Sequence, residues 1–221
     1  MMEKEMPTKT VKLNIAAVHI FKVKNVLDRR ISLGISARDL SFLLGKANTY
    51  VRDVENPFTT LKYNIDDTTL LCHVLQLSPS EIYQGVDSSP IELSLNIKVY
   101  DSKFGEAYEV CLPENDGEEK LYEIIPESKD PDFPVESKAS AKEVQDWVDQ
   151  LFNSTYFDEP HTAWEIYEMA VEGFGFPVKV KYLKDAVKKN TSKRSYPRLS
   201  SNEKSKGFYR TLYRKDSGDG L

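Results

Sequence analysis

The stretch SARDLSFLLGKANTYVRDVENP, residues 36–57, decides how the rest of the chain is read. Ser36 followed by Asp39 is a helix start, with a side-chain acceptor for free amides and a carboxylate in the first turn. The helix it predicts carries Leu40, Leu43 and Leu44 at core spacing and stops at Gly45. A second short helix is expected from near Asn48, with Val51 and Val54 as its apolar positions. It ends before Asn56-Pro57, because proline disfavours helix for the residue that precedes it. Two short helices joined by a tight glycine-containing turn make a helix-turn-helix, whose second helix enters the DNA major groove.

Outward from this stretch the pattern stays helical. Ile20, Val23, Leu27 and Ile31 recur at steps of three and four and predict a helix over 14–33, preceded by a loose arm at 1–13. Downstream, Ile65 to Gln76 reads as a helix opened by Asp66 and Asp67, and Ser78 with Glu81 is a capping box for a short last helix. Arg30, Gly34, Ser36, Leu40, Leu44-Gly45, Tyr50, Val51, Val54 and Glu55, then Leu70-Leu71 through Leu77 and Ser78-Pro79-Ser80-Glu81-Ile82, resemble the Cro/C1-type (XRE, phage-repressor-like) helix-turn-helix family over residues 23–83. The family often has glutamine where this chain has Ala37, and a closing glycine where it has Pro57. The resemblance implies a five-helix DNA-binding domain over 14–85. Its expected DNA contacts are Ser36, Arg38, Lys46, Asn48, Thr49, Tyr50 and Arg52, and two-fold pairing is its habit. The plainer alternative is a helical hairpin that touches no DNA.

After Gly85 to Pro90 the period changes. Ile91, Leu93, Leu95, Ile97 and Val99 alternate with polar residues, as do Tyr108, Val110 and Leu112, and Leu121 to Ile125 is a third apolar run. A three-stranded antiparallel meander over 90–126 is expected, with one apolar face that needs a cover. A second copy of the chain is one such cover, so a homodimer through Ile91, Leu93, Leu95 or Val110 is expected. Residues 127–139, rich in Pro, Ser and charge, read as a linker.

Ser140 with Glu143, and Thr162 with Glu165, are capping boxes for two helices, and Val178 to Lys189 predicts a third. Helix, short strand, helix, helix and a basic hairpin is the order of a winged helix, which residues 140–215 resemble; 216–221 is a tail. Lys181, Lys184 and Lys188 on the third helix and Arg198 and Arg210 on the hairpin are candidate phosphate contacts. A solvated basic helix, or a winged helix used for protein contact, is the equal alternative.

Net charge is −5, but it is unevenly spread. Residues 1–77 carry +3, 78–159 carry −14 and 160–221 carry +6, so a basic C-terminal surface is hidden in the total. No apolar run approaches membrane-spanning length, and the N-terminus lacks an apolar signal core, so a cytoplasmic protein is expected. Cys72 and Cys111 lack metal-ligand spacing, and no phosphate-cradling glycine loop or HExxH pattern occurs. No catalytic residue, metal, cofactor or small-molecule ligand is indicated.

The expected fold class is mainly α with a small antiparallel β meander: an N-terminal five-helix Cro/C1-type domain and a C-terminal winged-helix-like domain. The expected function is a sequence-specific transcriptional regulator that binds double-stranded DNA. The alternative is a protein-interaction module, such as an antitoxin or mobile-element adaptor, acting through the acidic meander or the C-terminal domain.

Overall fold

The computed structural model describes residues 6–114, 117–128, 138–204 and 210–218. Residues 1–5 of the expected arm, Asn115-Asp116 in a meander turn, most of the expected linker, Lys206 and Phe208 of the hairpin and the last three residues lie outside them. The chain divides into two compact units, and it crosses between them three times. A sheet unit takes Met1–Ser36 and Val51–Phe133, and a basic unit takes Ala37–Tyr50 and Pro134–Leu221.

The fold class differs from the mainly helical expectation. The described residues are 43% helix and 26% strand, with a four-stranded antiparallel sheet and a three-stranded sheet, so the strands are no minor appendage. The difference begins at the N-terminus. Residues expected to be a loose arm and the start of a helix form strand β1, Lys9–Ala16, and helix α1 spans Ala17–Ser32. In β1, Val11, Leu13 and Ile15 alternate with Lys12 and Asn14. The strand needs a partner far along the chain: Val11 stands opposite Ile97, Leu13 opposite Leu95 and Ile15 opposite Leu93.

The sheet order is β1-β2-β3-β4, where β2 is Glu92–Ser102, β3 Gly105–Glu114 and β4 Gly117–Ile124. The expected meander is therefore three of four strands. Its apolar face, with Leu95, Ile97, Val99, Val110 and Tyr122, is buried. Phe58 packs edge-on against Tyr108 of that face, and the charge of Glu55 is felt by Tyr122, so the sheet unit itself supplies cover there. Leu93, Leu95 and Val110, expected at a dimer contact, are already buried, and only Ile91 remains exposed. The outer face is polar: Lys98 bridges Glu109 and Glu118 across three strands.

Helices α4 (Ile65–Leu75) and α5 (Pro79–Ile82) belong to the same unit, and α1 packs on both. α4 opens at Ile65 as expected, on an Asn64–Asp67 capping box, and closes on Gln76 in the left-handed region. The Ser78–Glu81 box opens α5 as its spacing implies. α1 buries Ile20, Val23, Val26 and Leu27, while Ile31 faces solvent.

Below the sheet lies a buried guanidinium. Arg30 of α1 donates from Nε and Nη2 to both carboxylate oxygens of Glu55, at 2.6 and 2.7 Å, and from Nη1 to Glu127 and the Ile35 carbonyl. Burial works against the charge on Arg30, but Glu55 and Glu127 outweigh it and raise its pKa further. Burial likewise pushes the Glu55 carboxyl up, and Arg30 opposes that.

The basic unit is built from α2 (Ala37–Leu43), α6 (Ala141–Asn153), a 3₁₀ turn at Tyr156–Asp158, β5 (His161–Thr162), α7 (Ala163–Phe174), α8 (Val180–Thr191), β6 (Arg198–Lys204) and β7 (Thr211–Asp216). Its sheet order is β5-β7-β6, all antiparallel. The Ser140–Glu143 and Thr162–Glu165 capping boxes open α6 and α7, and Gly175 in the left-handed region closes α7. Val144, Val148 and Phe152 of α6, Ala163, Ile166 and Ala170 of α7, and Leu183, Ala186 and Val187 of α8 form the core.

The first helix of the expected helix-turn-helix belongs here. α2 packs on α7 and α8, and the boundary between units falls inside the second helix, α3 (Tyr50–Glu55), between Tyr50 and Val51. The five N-terminal helices therefore do not make a separate domain. A fragment of residues 134–221 lacks α2 and is expected to lose its cooperative thermal transition by circular dichroism, whereas the full chain keeps one. Arg30→Ala leaves Glu55 buried and unpaired; a loss of about 3–5 kcal/mol in urea unfolding is expected, with a smaller effect for the exposed neighbour Asp28→Ala.

Candidate nucleic-acid interface

The sequence holds 13 basic and 21 acidic residues in the sheet unit, and 17 basic and 14 acidic in the basic unit. The basic unit thus carries +3 against −8, so the two units differ in the sign of their charge.

α8 is amphipathic. Val180, Leu183, Ala186, Val187 and Asn190 face the core, and Asn190 fixes the helix to α6 by donating to Asp149 at 2.9 Å. The opposite side presents Lys181, Asp185, Lys188 and Ser192, with Lys189 next to it. Lys188 and Lys189 are exposed, and Lys181 is half-buried. Lys189 comes within 3.9 Å of Asp149, a surface pair that leaves it able to meet another anion.

Lys184 does not join that side. Its ammonium is paired with the Asp39 carboxylate of α2, and the two side chains are only 13% and 7% exposed. Two further contacts hold α2. Phe42 lies 6.1 Å from the Tyr213 ring of β7, whose phenol burial pushes up to about 12. Gly45, just past α2, accepts the Thr211 amide at 2.9 Å and the Thr211 hydroxyl at 3.0 Å.

The other expected site residues fall in different places. Ser36 is 1% exposed and lies in the sheet unit, so its hydroxyl does not reach a surface ligand. Arg38 is half-buried on α2. In the turn after Gly45, Lys46 is half-buried with its ammonium 5.5 Å from the Tyr50 ring, and Asn48 and Thr49 are exposed. Arg52 is exposed on α3, in the sheet unit, and is within 3.2 Å of its neighbour Asp53. Arg52, Asp53 and Asn56 share a cleft of about 280 Å³ with Phe104, Glu106 and Tyr108. Two of those six side chains are acidic, which does not favour a DNA backbone.

On the hairpin, Arg198 stacks on Tyr196 at 4.7 Å and approaches Asp216 at 3.5 Å. Arg210 is half-buried beside Gly45, and Lys204 donates to the Thr211 hydroxyl at 2.6 Å. The structure thus gathers Lys46, Asn48, Thr49, Lys188 and Arg210 on one unit and leaves Ser36 and Arg52 on the other.

The partnership of Asp39 with Lys184 escaped the sequence reading. One signal for it exists: Phe42 stands off the Leu40–Leu43–Leu44 stripe, so the helix is apolar on more than one face, and six of its seven residues are buried. Among the described residues no cluster of three or more His, Cys, Asp or Glu side chains could hold a metal, and no helix is long and apolar enough to cross a membrane.

The class the architecture defines is a two-unit protein with a four-stranded sheet unit and a basic helical unit closed by a three-stranded sheet. No protein-family model, curated protein or solved structure matches the chain.

Removing either member of the buried pair takes an oppositely charged partner from the other. Lys184→Ala and Asp39→Ala are each expected to cost about 3–5 kcal/mol. In a double-mutant cycle read by urea unfolding, the double variant should lose less than the sum of the two. Strict additivity would show that the pair contributes nothing.

Proposed function

We propose that this protein binds duplex DNA through the basic unit, used as a winged helix, and acts in transcription regulation. The observation that carries the reading is the solvent side of α8, where Lys181, Lys188 and Lys189 stand on the more basic of two oppositely charged units. The order α6, β5, α7, α8, β6, β7 with strand order β5-β7-β6 supports it, since that arrangement lets the last helix enter a groove while the hairpin reaches the adjacent backbone. Lysines there neutralise phosphates and release counterions. The acidic sheet unit suits a second role.

That second role is contact with protein. It is favoured by the exposed Phe58, Phe104 and Ile125 of the sheet unit, two of them close to the cleft beside α3. Under this reading alone, the full chain has no affinity for duplex DNA.

The two separate by salt. Fluorescence anisotropy with the full chain and a duplex should give log affinity falling linearly with log salt. Lys188→Ala and Lys189→Ala together should flatten the slope, by about 0.9 for each phosphate contact removed. No binding at low salt would reject the DNA reading and leave the protein-contact role.

A further inference from the structure

We infer that the turn Gly45–Thr49 is part of the same duplex-binding surface as α8 and the hairpin, with Lys46 placed for a phosphate and Asn48 for a base edge. The inference rests on the DNA reading of the basic unit and adds to it a segment from more than a hundred residues upstream.

The placement comes from three contacts inside the basic unit. The Asp39–Lys184 pair fixes the start of α2 to the middle of α8. Phe42 against Tyr213 fixes its end to β7. The Gly45 carbonyl then accepts both the amide and the hydroxyl of Thr211, the first residue of β7, and Lys204 of β6 donates to that same hydroxyl. The turn is therefore tied to the hairpin at the end where β6 and β7 approach their connection.

The approach is close enough to require glycine. Gly45 has φ of +65°, and a Cβ there would lie 3.0 Å from the Thr211 nitrogen and from the Arg210 Cβ. α2 is not a removable cover over α8: Leu40, Leu43 and Leu44 are at most 1% exposed, and a helix so deeply buried belongs to the core. Lys184, the lysine it occupies, is lost to DNA, and the turn that follows carries Lys46.

The side chains that the turn presents suit a duplex. Lys46 sits over the Tyr50 ring, its ammonium 5.5 Å from the ring centre. Asn48 and Thr49 are exposed, and an asparagine amide can pair with both the N6 and N7 edges of adenine. Lys46 and Lys204 then lie on the two segments tied through Thr211, and Lys188 on the helix tied through Asp39.

The test uses the full chain, a duplex obtained by in vitro selection and a scrambled duplex, read by anisotropy over a salt series. Asn48→Ala is expected to weaken the selected duplex about fivefold or more and to leave the scrambled one unchanged. Lys46→Ala should weaken both and reduce the salt slope by about 0.9. Unchanged thermal midpoints verify that both variants fold. Wild-type affinity in both turn variants, with a loss in the Lys188→Ala, Lys189→Ala double variant, would overturn the inference while the DNA reading stands. A loss in the turn variants with none in the α8 double variant also overturns it, because the turn would then act apart from α8. A selection that yields no preferred sequence removes the base-reading role of Asn48. A wild-type chain that binds neither duplex at low salt removes both the inference and the reading beneath it.

Discussion

An ionised carboxylate that is almost wholly buried cannot stand alone, and Asp39 is such a carboxylate. Its partner is Lys184, and that choice decides what the basic unit is. The pair commits α2 to α7 and α8, brings Gly45 to the first residue of β7, and withdraws one lysine from the side of α8 that a polyanion could meet. With Phe42 against Tyr213 and the Gly45–Thr211 hydrogen bonds, it ties residues 37–50 into the basic unit. The surface proposed for DNA is what remains after the pair has formed: Lys188 and Lys189 on α8, Lys204 on the hairpin, and the turn at Lys46 to Thr49.

The sheet unit is organised by a second buried charge. The Arg30 fork takes both oxygens of Glu55 and a third from Glu127, so one side chain of α1 reaches the end of α3 and the segment that leaves β4. Such a cluster adds little net stability over a well-packed apolar one, but each member fixes the position of the others. It explains why Arg30 and Glu55 sit where a helix-turn-helix reading notices them without their touching DNA: they answer each other across the interior. Arg52, one turn of chain before Glu55 on α3, is left on a surface with Asp53 and Glu106, where the field is mixed.

The two units also explain why whole-chain charge misleads. A net −5 is the sum of a strongly acidic sheet unit and a mildly basic helical one, and a ligand meets one surface at a time. On the outer face of the sheet, Lys98 is held between Glu109 and Glu118 across neighbouring strands.

By itself, the sequence determined what depends on neighbours along the chain. The boxes at Ser78–Glu81, Ser140–Glu143 and Thr162–Glu165 stand as their spacing implies, because a cap joins residues three apart and needs nothing else. The same holds for the stop at Gly45 and the alternation of β2. Tertiary structure alone decided the rest. Strand β1 has alternating residues, yet its lysines read as a solvated arm until Val99, ninety positions after Lys9, offers a backbone to pair with. Nothing local tells α2 whether to pack on α3, a few residues ahead, or on α8, where Lys184 lies 145 positions away. A short helix with apolar residues on several faces fits either. The choice falls to the one place where Asp39 meets a cation and Phe42 a ring.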